Sequence, residues 1–186
     1  MQVDCLAEIG KALGNTNSRL WKMRNGYALP SQSGLQEVTS TLGRMSESAM
    51  DELRVKLQIG VQWDTQVTLK GGEHLVTQVY CSALPVAYSG LPSSLWEPFA
   101  RLVLEAAYEA TFAVGLLNAS KSKNKTVYLT LVGGGAFGND PKWILDAIHR
   151  ACTLYQQHDL DVKIVSYRSS NAAVKQLAGT LPHPRS

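Results

Sequence analysis

The chain has 186 residues, 45% of them hydrophobic and 18% charged, with a net charge of +3. That length and apolar content suit one domain with its own core, and so small and scattered a charge argues against a phosphate-neutralising nucleic-acid surface. Cys5, Cys81 and Cys152 lie far apart, with no His or Cys at ligand spacing, so neither a metal site nor a disulfide framework is expected.

Leu6, Ile9 and Leu13 recur at helical spacing across residues 3–13, and Gly14-Asn15 ends that helix. RLWKMRNGYALP follows, with Asn25-Gly26 marking a tight turn. Ser33 is expected to cap a helix carrying Leu35, Val38 and Leu42, and Ser46 another carrying Met50, Leu53 and Val55, with Gly43 between them. VKLQIGV alternates as a half-buried strand does, WDTQVTL continues it to Gly71-Gly72, and HLVTQVYCSAL reads as a second strand that Pro85 closes.

Trp96 to Asn118 is the longest helical pattern. Its Glu105 and Glu109 share one face and are expected in solvent or beside Arg101, and the apolar run they interrupt, Leu102 to Leu117, is too short to span a bilayer. TVYLTLV reads as a strand buried on both faces, Pro141 to Gln157 as a helix, VKIVSY as a last strand and Asn171 to Ala178 as a terminal helix. Residues 1–54 are thus mainly helical and 55–178 form an α/β core. Strands and helices alternate from residue 75, which predicts parallel neighbours in a three-layer α/β/α sandwich. Asp4 and Glu8 break any apolar N-terminal run, so no signal peptide is read, and the free thiols suit an intracellular, reducing compartment.

The segment with the most chemistry in it is LTLVGGGAFGNDPKW, Leu129 to Trp143. Ligands of open parallel sheets bind where strands end. Four glycines in six positions, Gly133, Gly134, Gly135 and Gly138, let backbone amides approach an anion, and Ala136, Phe137 and Asn139 complete the loop. Asp140 and Pro141 then open a helix whose N-terminus favours negative charge. A phosphate or diphosphate fits this pattern, with Phe137 placed to cover it or to stack on a ring.

Gly133, Gly135 and Gly138 formally satisfy GxGxxG, and Arg168 past the next strand imitates a 2′-phosphate acceptor, so an NADP-dependent Rossmann oxidoreductase is one alternative. Against it, Asn139-Asp140-Pro141 delays the helix beyond the third glycine, and 35 residues separate Gly133 from Arg168. A catalytically inactive interaction domain is the other alternative.

The loop GGGAFGNDP resembles the second phosphate-binding loop of the macrodomain superfamily, in particular that of bacterial poly(ADP-ribose) glycohydrolase-type members. WKMRNGYAL, IGVQWDTQVT, VTQVYCSALPVAYS, the long helix, VYLTLVGGGAFGND, WILDAI and LDVKIVSY are similar to a branch that includes ADP-ribosyl-ubiquitin hydrolase effectors of intracellular bacteria.

The resemblance implies a single macrodomain-like domain over residues 1–186 with a mixed sheet and an ADP-ribose cleft at strand ends. In it, Gly133 to Asn139 would wrap the diphosphate and distal ribose, while Ser82, Ala83 and Pro85 would line the cleft. The expected ligand is ADP-ribose or an ADP-ribosylated protein, with no cofactor, nucleic acid or membrane, in the cytoplasm, another intracellular space or a host cell entered by secretion. Macrodomain hydrolases carry a catalytic acid on a loop upstream of the NGY segment, which this chain does not contain. A partner chain that supplies those elements is therefore one expectation, and Asp64, beyond a strand, is the remaining candidate for the acid that would activate water. ADP-ribosyl hydrolysis rests on that residue alone.

Overall fold

The computed structural model describes residues 3–166 and 171–181. Helix α1 (Ala7–Leu13) leads into the hairpin β1 (Trp21–Arg24) and β2 (Tyr27–Pro30), and then α2 (Gln32–Leu42) and α3 (Glu47–Arg54). β3 (Gly60–Gln66) and β4 (Leu75–Tyr80) follow, then α4 (Ser93–Ser122), β5 (Thr126–Leu129), α5 (Pro141–Leu154), β6 (Asp161–Ile164) and α6 (Ala172–Thr180). The fold is mixed α/β.

Local signals account for most boundaries. Asn25 and Gly26 take positive φ, 50° and 83°, and turn β1 back on β2. Ser46 accepts from the Ala49 N–H as read from the sequence, whereas α2 is capped by Ser31, two residues before the expected Ser33. Asn15 accepts from the Leu20 and Trp21 N–H groups and donates to the Trp21 carbonyl, fixing the entry into β1.

α4 is the centre of the molecule. Trp96, Phe99, Ala100, Leu102 and Leu104 are fully buried in it, and α2, α3 and α5 pack around it. Among the described residues it is the one helix long and apolar enough to meet the criteria for a membrane span. Its apolar sides are the core of this domain, with Trp21 tilted against Phe99 at 5.0 Å and Ile144 and Ile148 of α5 closing over it.

Sheet pairing departs from the sequence expectation. The described strands form three separate two-stranded sheets: β1 with β2 and β3 with β4, both antiparallel, and β5 with β6, parallel. The parallel β5–α5–β6 unit is as expected, but β4 does not pair with β5, so no continuous sheet runs through the described residues. TVYLTLV supplies only four residues of strand, and Tyr128 within it is 66% exposed, so β5 is buried on one face only.

Glu105 and Glu109 also lie elsewhere than expected. Arg101 pairs with Glu97 and Asp146. Glu105 binds the buried Arg54 at 2.8 Å, and Glu109 binds Arg150 at 2.6 Å. Glu47 and Asp51 bridge both arginines, so one network ties α3, α4 and α5 together. Burial pushes the Glu105 carboxyl up, and the adjacent Arg54 guanidinium only partly offsets this.

Candidate functional site

The chain leaves β5 at Leu129, turns through a Val132 N–H to Thr130 carbonyl bond, and enters the glycine loop. Gly133 and Gly138 both take positive φ, 80° and 68°. Each is also wedged: a Cβ on Gly133 would stand 2.4 Å from the Ala83 Cβ, and one on Gly138 would stand 2.8 Å from the Ala87 Cβ. These two glycines lock the loop onto the segment after β4.

Asn139, 2% exposed, is the strut of that junction. Its Nδ2 donates to the Leu84 carbonyl at 2.8 Å and, more weakly, to the Gly133 carbonyl at 3.4 Å. Its Oδ1 has no partner, an unmet acceptor beneath the loop. The Ala87 N–H donates to the Phe137 carbonyl at 2.9 Å and closes the second contact.

The middle of the loop is different. Gly134, Gly135 and Ala136 are exposed. A Cβ on Gly135 would meet nothing within 4 Å. Within the described residues the N–H groups of Gly135, Ala136 and Phe137 find no acceptor, leaving three consecutive donors at an open surface. Successive free amides of this kind make an anion-binding concavity.

The helix that follows contributes less. Asp140 accepts from the Lys142 N–H at 2.7 Å, and the Asp140 carbonyl takes the Trp143 N–H, so the first turn of α5 has already used those donors and carries a carboxylate at its tip. The free donors are on the loop rather than at the helix end.

Phe137 is held by two tyrosines. Tyr27 of the β1–β2 hairpin and Tyr88 of the 3-10 turn Val86–Tyr88 meet it edge to face, with ring centroids 5.7 and 5.5 Å away, and each other at 5.6 Å. The three rings form a partly exposed aromatic patch beside the loop. Phe137 is expected from the sequence, whereas Tyr27 and Tyr88 are not; their place after a tight turn and after a proline-closed strand is the signal that marks them.

The other expected residues are divided. Ser82 is exposed at the end of β4 and can line an opening there, but its hydroxyl turns to the Ala83 carbonyl at 3.1 Å. Ala83 and Pro85 are buried, and Ala83 serves as the surface on which Gly133 packs. Asp64 lies in a β-bulge of β3 with φ 53°, between the pairs Gln62–Gln78 and Thr65–Val76. From Val76 the strand runs four more residues, about 13 Å, before the segment that meets the glycine loop begins. Asp64 is therefore not beside the loop. Arg168 lies outside the described residues.

Among the described residues no group of three His, Cys, Asp or Glu side chains could hold a metal ion. Burial pushes the Cys81 thiol up and raises that of Cys152 to about 11, so neither is an activated nucleophile. No family model, no curated protein and no solved structure matches this chain.

Proposed function

We propose that the chain is a macrodomain-like module that binds ADP-ribose, or ADP-ribose carried on a protein, through residues 133–139. The observation that carries the reading is the run of three unpaired, exposed amides at Gly135, Ala136 and Phe137 beside the Tyr27–Tyr88–Phe137 patch. A diphosphate needs clustered donors without a Cβ in the way, and a nucleoside needs an aromatic surface next to them. Both lie where three segments distant in sequence converge, and all three belong to the stretches that resemble the macrodomain superfamily.

A three-layer sandwich and an intracellular setting belong to the same proposal. Recognition is supported further than hydrolysis. Asp140, the carboxylate next to the loop, is committed to capping α5, and Asp64 stands about a strand's length away.

The test is calorimetric titration of the folded chain with ADP-ribose. A one-to-one isotherm that disappears in Gly135→Val is the expected result. A flat titration from folded protein would remove the reading, and stronger heat with NADPH than with ADP-ribose would move it to the Rossmann alternative.

A further inference from the structure

β4 and β5 lie over the same helix and run in the same direction, yet they do not pair. At one end, Asn118 of α4 accepts from the Thr77 hydroxyl of β4 and donates to the Asn124 carbonyl just before β5. At the other, the Tyr108 hydroxyl of α4 donates to the Thr130 carbonyl and accepts from Val132 N–H, with Cys81 close by. Between them is an open channel of about 530 Å³. Its floor is one stripe of α4, including Thr111, Val114, Gly115 and Asn118.

Both walls are strand edges with free main-chain groups. The Val67 N–H bonds the His74 carbonyl, so even-numbered residues of β4 face β3, and the period of two turns the N–H and C=O groups of Leu75, Thr77 and Val79 to the channel. On β5, the Lys125 and Leu129 carbonyls serve β6, which turns those of Thr126 and Tyr128 the other way. The Tyr128 N–H and C=O have no partner among the described residues. Exposed Leu75 and Tyr128 flank the opening.

The dimensions fix the occupant. Ten residues of helix separate Tyr108 from Asn118, about 15 Å, which matches four or five residues of extended chain. A floor one helix wide admits a single strand. The Thr126 N–H is taken by Asn124 Oδ1 and the Thr130 carbonyl by the Tyr108 hydroxyl. The unpaired groups that remain on each wall, those of Leu75, Thr77 and Val79 on one and of Tyr128 on the other, fit extended backbone, which can satisfy both at once; a helix has no free groups to offer. The lining carries one charged side chain, Asp64 at the Asn118 end, which has no ion pair among the described residues.

We infer that the channel between β4 and β5 takes a four- to five-residue β-strand from a partner protein, with apolar side chains alternately facing α4 and a basic residue at the Asp64 end. Such a strand would join β3–β4 and β5–β6 into one sheet.

The experiment is selection of a random dodecapeptide library on the immobilised chain, followed by affinity measurement with synthetic peptides. Enriched sequences should share a proline-free, alternating apolar run next to Lys or Arg. Tyr128→Pro removes only a channel-facing donor, keeps the ladder to β6, and should weaken binding at least tenfold. Val79→Pro does the same on the opposite wall and serves if the first variant does not fold. Asp64→Asn should cost a few-fold for peptides with the basic residue and nothing for neutral ones. No enrichment above the bare support, or equal binding to a folded proline variant, overturns the inference. So does a concentration-dependent dimer abolished by Tyr128→Pro, which would place a second copy in the channel.

Discussion

Two neighbouring glycines should respond oppositely to the same kind of substitution. In Gly133→Ala the new Cβ meets the Ala83 Cβ at 2.4 Å and the Asn139 Nδ2 at 2.8 Å, in a backbone with φ 80°. The left-handed conformation costs about 1–2 kcal/mol once a Cβ is present. Overpacking against a rigid, buried alanine costs about 1–3 kcal/mol more. Together they reach about 2–5 kcal/mol, which for a chain of this size is a fall in Tm of roughly 4–20 °C. Gly135→Val adds its side chain to open space, so its stability should stay within about 0.5 kcal/mol of the parent. The same valine stands over the free amides and should lower ADP-ribose affinity at least tenfold. Thermal melts by circular dichroism and calorimetric titration of both variants separate the two roles. A Gly133→Ala protein that melts like the parent would refute the wedge, and undiminished affinity in Gly135→Val would refute the amide seat.

Asn139→Ala removes one of the two donors to the Leu84 carbonyl, which keeps the Val86 N–H, and should cost about 0.5–1.5 kcal/mol in denaturant unfolding, with the loop's affinity falling alongside. Arg54→Met leaves the partly buried Glu105 without its main partner and should cost about 1–3 kcal/mol, and adding Glu105→Leu should recover much of that; a double variant no better than the single would refute the pairing. Cys152 should react slowly with thiol reagents at pH 8, when about one molecule in a thousand is thiolate, and fast after unfolding. Because its folded value of about 11 lies above the ordinary thiol value, its contribution to stability is complete below about pH 9 and fades as pH rises toward 11, a decline that Cys152→Ala should remove from alkaline melts.

Most of the helices were legible because their signals are local. Ile9 and Leu13 are buried on α1 with Leu6 at its N-cap, Ser46 caps α3, and Asp140-Pro141 opens α5 where the chain says it should. What was illegible depends on residues far apart. The i, i+4 rule points Glu105 toward Arg101, but Arg54 arrives from α3, 51 residues away, in a better position. Ala83 and Pro85 read as cleft lining, yet Ala83 is consumed as the packing surface for Gly133, a contact across 50 residues. The β-branched run of TVYLTLV promises burial on both faces, but only the face of Val127 and Leu129 is covered, and Tyr128 on the other face is exposed.

The channel and the glycine loop are physically continuous, so their ligands should be coupled. β4 ends in the segment holding Ala83 and Ala87, and β5 ends in the loop that packs on those alanines. A strand between them would present one of its ends near Cys81 and Val132, next to the segments that meet at the loop. It would also hold β4 and β5 at a fixed spacing and so reduce the ordering that the loop must undergo on binding. The coupling is reciprocal: a selected channel peptide should raise ADP-ribose affinity by the factor by which ADP-ribose raises peptide affinity, about 5–150-fold in ordinary allosteric pairs. Titrating each ligand with and without saturating amounts of the other measures both factors. Tyr128→Pro should abolish the enhancement and leave the basal ADP-ribose isotherm unchanged, because residue 128 shares no hydrogen bond with residues 135–137. Affinities that ignore the second ligand would mean that the junction at Ala83, Ala87 and Asn139 is rigid enough to hold the loop without the strand.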